Sequence, residues 1–100
     1  MADNKIISEY EDMDRVYSDF SKAIGNFSDT MSDNIDQIMS TVDNMGNQWR
    51  GNGYNEFRQN ISGRVDDIRL SLEKCYAIKN TLDKASQKIK IVLESLRESE

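Results

Sequence analysis

An unbroken helical spacing of apolar residues over the first 45 positions is the feature that most constrains this chain. Successive apolar residues are three or four positions apart, with one additional step of four between Met31 and Ile35. The members of this stripe are Ile6, Tyr10, Met13, Tyr17, Phe20, Ile24, Phe27, Met31, Ile35, Ile38, Val42 and Met45. Such a repeat is typical of coiled-coil helices, and the additional step is a stutter that locally unwinds a supercoil. The first half is therefore predicted to form one long amphipathic helix.

The second half of the chain repeats this pattern, and no proline interrupts either half. A strict seven-residue series runs through Tyr54, Ile61, Ile68, Cys75, Leu82, Ile89 and Leu96, accompanied by Phe57, Val65, Leu72, Ile78, Ala85 and Val92. The pattern predicts an all-α fold with two long antiparallel helices, one helical hairpin that covers residues 1–100. The first helix is expected at about 5–44, the turn at about 45–53 and the second helix at about 54–97. Each helix would contain ~40 residues and measure about 60 Å.

The segment between the two stripes contains the only tryptophan of the chain and three of its five glycines. Gly46 is predicted to end the first helix, because glycine readily adopts the left-handed conformation that follows a helix. Gly51 and Gly53 give the backbone room to turn closely around the Trp49 ring. Gly25 is expected to remain inside the first helix, at a cost of ~1 kcal/mol, because the apolar stripe passes through it in phase.

The distribution of charge supports an antiparallel arrangement. Residues 1–50 carry four basic and ten acidic side chains, a net charge of −6, whereas residues 51–100 carry nine and eight, a net charge of +1. The predicted ion pairs between the helices are Asp43–Arg58, Asp36–Arg64 and Asp12–Lys88. The total of −5 argues against a nucleic-acid partner, which requires a basic surface.

The apolar stripes are too wide for two helices to cover. Further apolar residues flank them at Val16, Met39, Leu70, Tyr76, Ile91 and Leu93. A pair of helices would leave an exposed apolar patch, which usually marks an interface. The sequence therefore predicts that a second hairpin completes a four-helix bundle. Its seam is expected to contain Phe20, Ile24, Phe27, Met31, Ile35, Ile38, Ile61, Val65, Ile68, Leu72, Cys75 and Leu82.

The composition offers little for catalysis. The chain has no histidine and a single cysteine, so neither an imidazole acid–base nor an internal disulfide is available. Cys75 is interpreted as a small core residue, since no activating base is evident. Gly51-Asn52-Gly53 lacks the preceding strand and the lysine of a phosphate-binding loop. No enzymatic activity, cofactor, metal or small-molecule substrate is expected, and the sequence has neither a Sec-type signal peptide nor a membrane span.

The sequence Trp49-Arg50-Gly51 at the turn, followed by Gly53 and Phe57, resembles the motif of the WXG100 family of type VII secretion substrates. The resemblance covers the whole chain in length, layout and position of the motif. It implies a helical hairpin that dimerises into a four-helix bundle, either with itself or with a related WXG100 or LXG-type protein. It further implies export from the bacterial cytoplasm by a type VII system with a membrane-anchored ATPase, with the turn motif of Trp49, Gly51, Gly53 and Phe57 contributing to the export signal.

One element of that family is missing where it would be expected. Members that carry the export signal have Tyr-x-x-x-Asp/Glu shortly after the second helix, but the only match here begins at Tyr10 and ends at Asp14. Either a partner supplies this element, or a different C-terminal element serves, or the chain is a non-exported relative. The alternative is a cytosolic helical adaptor or chaperone that binds a larger type VII effector. A membrane-active amphipathic protein is a weaker hypothesis, because net acidity disfavours anionic lipid surfaces.

Overall fold

The computed structural model describes residues 4–49 and 51–99, and these residues form two long antiparallel helices. Helix α1 spans Asn4–Met45 and helix α2 spans Asn52–Glu98. The all-α class and the two long helices are thus confirmed. Gly25 lies inside α1, as its position in the stripe predicted. The predicted second hairpin is not part of the structure, so the four-helix bundle stays a prediction.

Helix α1 ends in a tightened turn. The amide of Gly46 donates to Asp43 O at 3.2 Å and the amide of Gln48 donates to Met45 O at 3.1 Å, both across three residues. Such bonds satisfy carbonyls at the end of a helix that lack an α-helical partner. The amide of Trp49 then donates to Met45 O at 2.8 Å, which holds the backbone of the tryptophan against the helix end.

Helix α2 is preceded by a glycine in a backbone conformation that other residues rarely adopt. Gly51 has a φ of +113°, and its carbonyl accepts a hydrogen bond from the Asn55 amide at 3.2 Å. A side chain at this φ would be strained, so glycine is required. Gly46 has no positive φ, so the prediction of a left-handed conformation there is wrong; a Cβ atom at Gly46 would instead lie 2.9 Å from the Tyr54 Oη and 3.0 Å from its ring, so a larger residue would displace that ring.

The chain divides into two compact units, each built from part of α1 and part of α2. The terminal unit combines Met1–Asn26 with Tyr76–Glu100, and the turn unit is Phe27–Cys75. In the turn unit, buried Ile35, Val65 and Leu72 form a core against which Met31, Met39 and Ile61 pack. In the terminal unit, buried Ile7, Ile89 and Leu93 form a core against which Tyr10, Tyr17 and Leu96 pack.

The sequence placed Leu93 on a flank, and this prediction is wrong. Leu93 is only 4% exposed and belongs to the core of the terminal unit. The seven-residue series through Ile89 and Leu96 suggested that Leu93 lay beside the seam. Leu93 instead lies four residues after Ile89, so the two side chains occupy successive turns on the same buried face of α2.

The centre of the helix contact in the terminal unit is polar beyond this core. Ser21 and Ser86 are buried between the helices. The Ser21 hydroxyl donates a hydrogen bond to Asp83, and the Ser86 hydroxyl donates one to Asp14. These residues, with Ser18 and Lys79, are called the polar layer below: Asp14, Ser18, Ser21, Lys79, Asp83 and Ser86. The sequence interpretation did not anticipate it, because only apolar residues were used to place the contact.

One of the three predicted ion pairs is confirmed. The Arg58 Nε atom lies 2.9 Å from Asp43 Oδ1 in the turn unit. Asp36 pairs with Arg69 at 2.8 Å instead of with Arg64; the two arginines are five residues apart, about 140° around the axis of α2, so they point to different sides of that helix.

The third predicted pair, between Asp12 and Lys88, is replaced by a local one. Asp12 pairs with Arg15 on its own helix at 2.6 Å. Side chains three residues apart on a helix are neighbours, so Arg15 is within reach whatever the position of α2.

Candidate protein-interaction surface

The turn places Trp49 in an aromatic group with Tyr54 and Phe57. The Trp49 and Tyr54 ring centroids are 5.7 Å apart in an edge-to-face arrangement, and those of Trp49 and Phe57 are 5.5 Å apart with tilted planes. The Tyr54 hydroxyl donates to Val42 O at 2.7 Å, which ties the group to the end of α1. Trp49 nevertheless remains 42% exposed. The group is therefore both rigidly supported and accessible to a partner.

Gly53 lies against this group without being indispensable to it. A Cβ atom at Gly53 would lie 3.6 Å from Trp49 Cζ2, an ordinary van der Waals distance. An alanine would therefore fit at this position. Among the four residues of the predicted turn motif, the backbone requires glycine only at Gly51, while Trp49 and Phe57 contribute aromatic surface.

A charge pair anchors the first turns of α2 beside the aromatic group. The hydrogen bond that Arg58 donates to Asp43, together with the charge of that carboxylate, raises the pKa of Arg58.

The terminal unit carries a set of exposed apolar side chains on one side of its helix pair. On α1 these are Ile6, Met13 and Phe20, each one residue before a position at the centre of the contact. One residue corresponds to about 100° around the helix axis, so these side chains point beside the contact. Ile78 and Val92 occupy the equivalent positions on α2, each one residue before a central position. The five are called the apolar face below: Ile6, Met13, Phe20, Ile78 and Val92.

The apolar-face residues of α1 and those of α2 lie on the same side of the helix pair because the helices are antiparallel. The opposite side is polar: Glu11 and Arg97, each four residues after a central position, approach to 3.6 Å. Lys90 Nζ lies 4.0 Å from Asp14 Oδ1 on that side. The terminal unit is thus amphipathic as a pair of helices, with charges on one side and the apolar face on the other; Val16 and Ile91 are exposed outside this face.

The turn unit has its own exposed apolar side chains. Phe27, Ile38 and Met45 are exposed on α1, and Ile68 and Leu70 are exposed on α2. A shallow groove of about 470 Å³ runs beside Ile38. Its lining is formed by Asn34, Gln37, Ile38, Thr41 and Val42.

The twelve predicted seam residues fall into two groups. At the contact between the helices the structure buries or half-buries Ile24, Met31, Ile35, Ile61, Val65, Leu72, Cys75 and Leu82. It leaves Phe20, Phe27, Ile38 and Ile68 exposed. Cys75 is a free thiol. The role of the twelve in a bundle of four helices stays a prediction.

No site for chemistry emerges in the part of the chain that the structure describes. Residues 4–49 and 51–99 contain no group of three or more side chains that could hold a metal ion. No helix among them is long and apolar enough to cross a membrane. A hollow of about 400 Å³ in the terminal unit is lined mainly by charges of both signs.

Comparison with known proteins leaves the chain without an assigned relative. No family model matches it, no curated protein matches it, and no solved structure matches it. The exposed apolar residues are consequently the observation on which a functional interpretation rests.

Proposed function

We propose that this chain is a non-enzymatic helical protein whose apolar face binds a protein partner, and that the partner is a second copy of the chain. The observation that carries the proposal is the one-sided exposure of five large apolar residues in the terminal unit, of which Phe20 is 56% exposed. Exposed residues of this kind are ordinary when scattered, but a contiguous set usually marks an interface. Burial of this face against a second pair of helices would complete a four-helix bundle.

The charges around the apolar face favour a second copy over an unrelated partner. Glu9 borders the face on α1, whereas Lys88 borders it on α2, and both side chains are exposed. In a two-fold dimer that sets α1 of one copy against α2 of the other, each acidic border meets a basic one. Complementary charges of this kind orient association and suppress wrong partners.

The solution mass of the purified chain tests this proposal. Light scattering coupled to size exclusion should give twice the 11.5 kDa mass of the chain. Phe20→Asp should give the monomer mass, because it would bury an unpaired charge in the interface. Ile91→Asp is the matched control: Ile91 is 66% exposed and lies outside the apolar face, so this variant should remain dimeric. A dimeric Phe20→Asp variant would contradict the proposed interface.

The proposal extends to a role as a substrate or co-secreted partner of a bacterial type VII secretion system. Two features support it: the Trp49-x-Gly51 sequence between two helices of 42 and 47 residues, and the supported yet exposed aromatic group around Trp49. In this role the chain would leave the cytoplasm through that system. It would engage the membrane-anchored ATPase of the system through the turn motif of Trp49, Gly51, Gly53 and Phe57.

Export can be measured separately from folding. Deletion of the export ATPase should abolish the appearance of the chain in the culture medium. Trp49→Ala should reduce export while leaving the helix content by circular dichroism nearly unchanged, because the cores of both units lie elsewhere. Gln48→Ala, an exposed neighbour in the same turn, serves as the control and should be exported normally. Normal export of Trp49→Ala would reduce the tryptophan to a structural role.

The second candidate is an adaptor or chaperone for a larger type VII effector. The exposed apolar residues of the turn unit favour it, since Phe27, Ile38 and Leu70 would serve a partner that contacts more than the apolar face. In that case the chain alone should be monomeric in the mass measurement. Co-expression with an LXG-type effector should then give a one-to-one complex, and Leu70→Asp should weaken it.

A further inference from the structure

The structure raises the question of why α1 does not turn its most apolar side toward α2. In the terminal unit the central positions of α1 are Ile7, Asp14 and Ser21, so two of the three are polar. Met13 and Phe20, one residue earlier, are large and apolar but remain exposed. A rotation of α1 by about 100° or less would bury them in place of Asp14 and Ser21. Burial of apolar surface alone would favour that rotation.

The polar layer opposes this rotation through bonds that form only in the observed orientation. The Ser86 hydroxyl donates to Asp14, and Ser18 Oγ lies 3.2 Å from Ser86 Oγ. The carboxylate of Asp83 accepts hydrogen bonds from Ser21 and from Lys79 Nζ, the latter at 2.9 Å. A rotated α1 would separate both pairs and leave the buried Ser86 hydroxyl of α2 without its partner, which is costly in a helix contact.

The aliphatic part of the Lys79 side chain lies over Gly25, beside the polar layer. A Cβ atom at Gly25 would lie 2.9 Å from Lys79 Cε, so the glycine allows this lysine to cross the contact. From there Lys79 Nζ reaches Asp83, whose other carboxylate oxygen accepts from Ser21. The layer therefore consists of two hydrogen-bonded groups, Asp14–Ser86–Ser18 and Ser21–Asp83–Lys79, and each group joins both helices.

We infer that the polar layer sets the rotation of α1 about its own axis and thereby keeps Ile6, Met13 and Phe20 outside the helix contact. Its residues are positioning residues for the apolar face. This inference rests on the proposed function of that face, and it explains how one stripe of apolar residues is divided between an internal contact and a binding surface. Polar groups in helix contacts are known to fix the geometry of pairing at a cost in stability.

Disulfide trapping within a single chain measures this rotation. In a Cys75→Ala background, Ile7→Cys with Leu93→Cys reports the observed orientation, because Ile7 and Leu93 share one core. Ile6→Cys with Leu93→Cys reports the rotated one. Disulfides form efficiently only when the Cβ atoms approach closely, so the ratio of the two intrachain yields follows the orientation of α1.

The layer is then removed by Asp14→Ala, Ser21→Ala and Ser86→Ala together. The yield of the 6–93 disulfide relative to the 7–93 disulfide should rise on the order of tenfold, because several hydrogen bonds to carboxylates are lost. The control carries the same three types of change at exposed positions of the terminal unit: Ser8→Ala, Asp19→Ala and Ser95→Ala. An unchanged ratio in the layer variant, or an equal rise in the control, would overturn the inference.

Ser86→Ala alone provides a milder test if the triple variant loses its helical circular dichroism signal. Ser86 contacts both Asp14 and Ser18, so its loss should shift the ratio in the same direction by a smaller factor. No shift in this variant would also overturn the inference. The disulfides are intrachain and, compared at one protein concentration, report the orientation of α1, whereas the mass of the wild-type chain tests dimerisation by itself.

Discussion

Replacement of Ser28 by alanine should stabilise this protein. Ser28 lies in α1 within the turn unit, and its side chain is 0% exposed. Its hydroxyl has no hydrogen-bond partner among the residues that the structure describes. A buried hydroxyl without a partner costs about 1–3 kcal/mol, because water would otherwise bind it. Ser28→Ala removes this cost.

Two smaller effects of Ser28→Ala partly offset each other. Alanine is the best helix former, and the exchange from serine contributes up to about 0.5 kcal/mol in a helix interior. The space left by one oxygen atom is smaller than a methyl group, whose loss costs about 1 kcal/mol. The expected gain in the free energy of unfolding is therefore about 1–2 kcal/mol. For a domain of this size, each kcal/mol of added free energy of unfolding raises Tm by roughly 4–8 °C.

Urea unfolding and thermal scans, both followed by circular dichroism at a fixed protein concentration, measure this change. The concentration is held constant because association makes Tm depend on it. Ser40→Ala is the control, since Ser40 is exposed on the same helix of the same unit and reports the helix propensity alone. A Ser28→Ala variant that is no more stable than Ser40→Ala, or less stable than the wild type, would refute the reasoning and indicate that the hydroxyl is satisfied.

Three further predictions concern the turn and the polar layer. Gly51→Ala should lower the free energy of unfolding by about 1–3 kcal/mol, because Gly51 has a φ of +113°. Gly53→Ala should leave the free energy of unfolding unchanged or raise it by up to about 1 kcal/mol. Thermal scans of the two variants and the wild type measure both changes. Tyr54→Phe should cost about 0.5–1.5 kcal/mol in urea unfolding through the lost bond to Val42 O, and an unchanged midpoint would contradict that bond. The hydrogen bond from Ser21 lowers the pKa of Asp83 from its ordinary value of 3.8. The ionised Asp83 carboxylate therefore stabilises the folded chain fully above about pH 4, and this stabilisation is lost as the pH falls below that value. Urea unfolding at pH 7 and pH 3 should accordingly show that the free energy of unfolding falls less between the two pH values for Asp83→Asn than for the wild type.

Hydrophobic spacing was sufficient to predict the two helices but not how they face each other. The stripe of α1 alternates between residues that pack in the contact, such as Tyr10 and Tyr17, and residues that stay outside it, such as Met13 and Phe20. Both kinds obey the same spacing of three and four, so periodicity cannot separate them. What separates them is the set of hydrogen-bond partners of Asp14 and Ser21, which lie on the other helix, 72 and 62 residues away in sequence.

The turn shows a similar division between what sequence can and cannot supply. The cluster of glycines around Trp49 predicted a break between the helices, and the structure ends α1 at Met45 and starts α2 at Asn52. The different requirements at Gly46, Gly51 and Gly53 depend on φ and on the distance to the Tyr54 and Trp49 rings. These quantities arise only when the chain has folded.

The polar layer and the apolar face are two consequences of one choice of helix orientation. A fully apolar contact would bury more surface within a single chain and would leave little to attract a partner. By placing Asp14, Ser21 and Ser86 at the centre of the terminal unit, the sequence gives up part of that burial and keeps Met13 and Phe20 exposed. The stability given up within the chain is recovered only when a partner covers the exposed residues. Folding of the terminal unit and recognition of the partner are therefore expected to be coupled through the same few residues of α1.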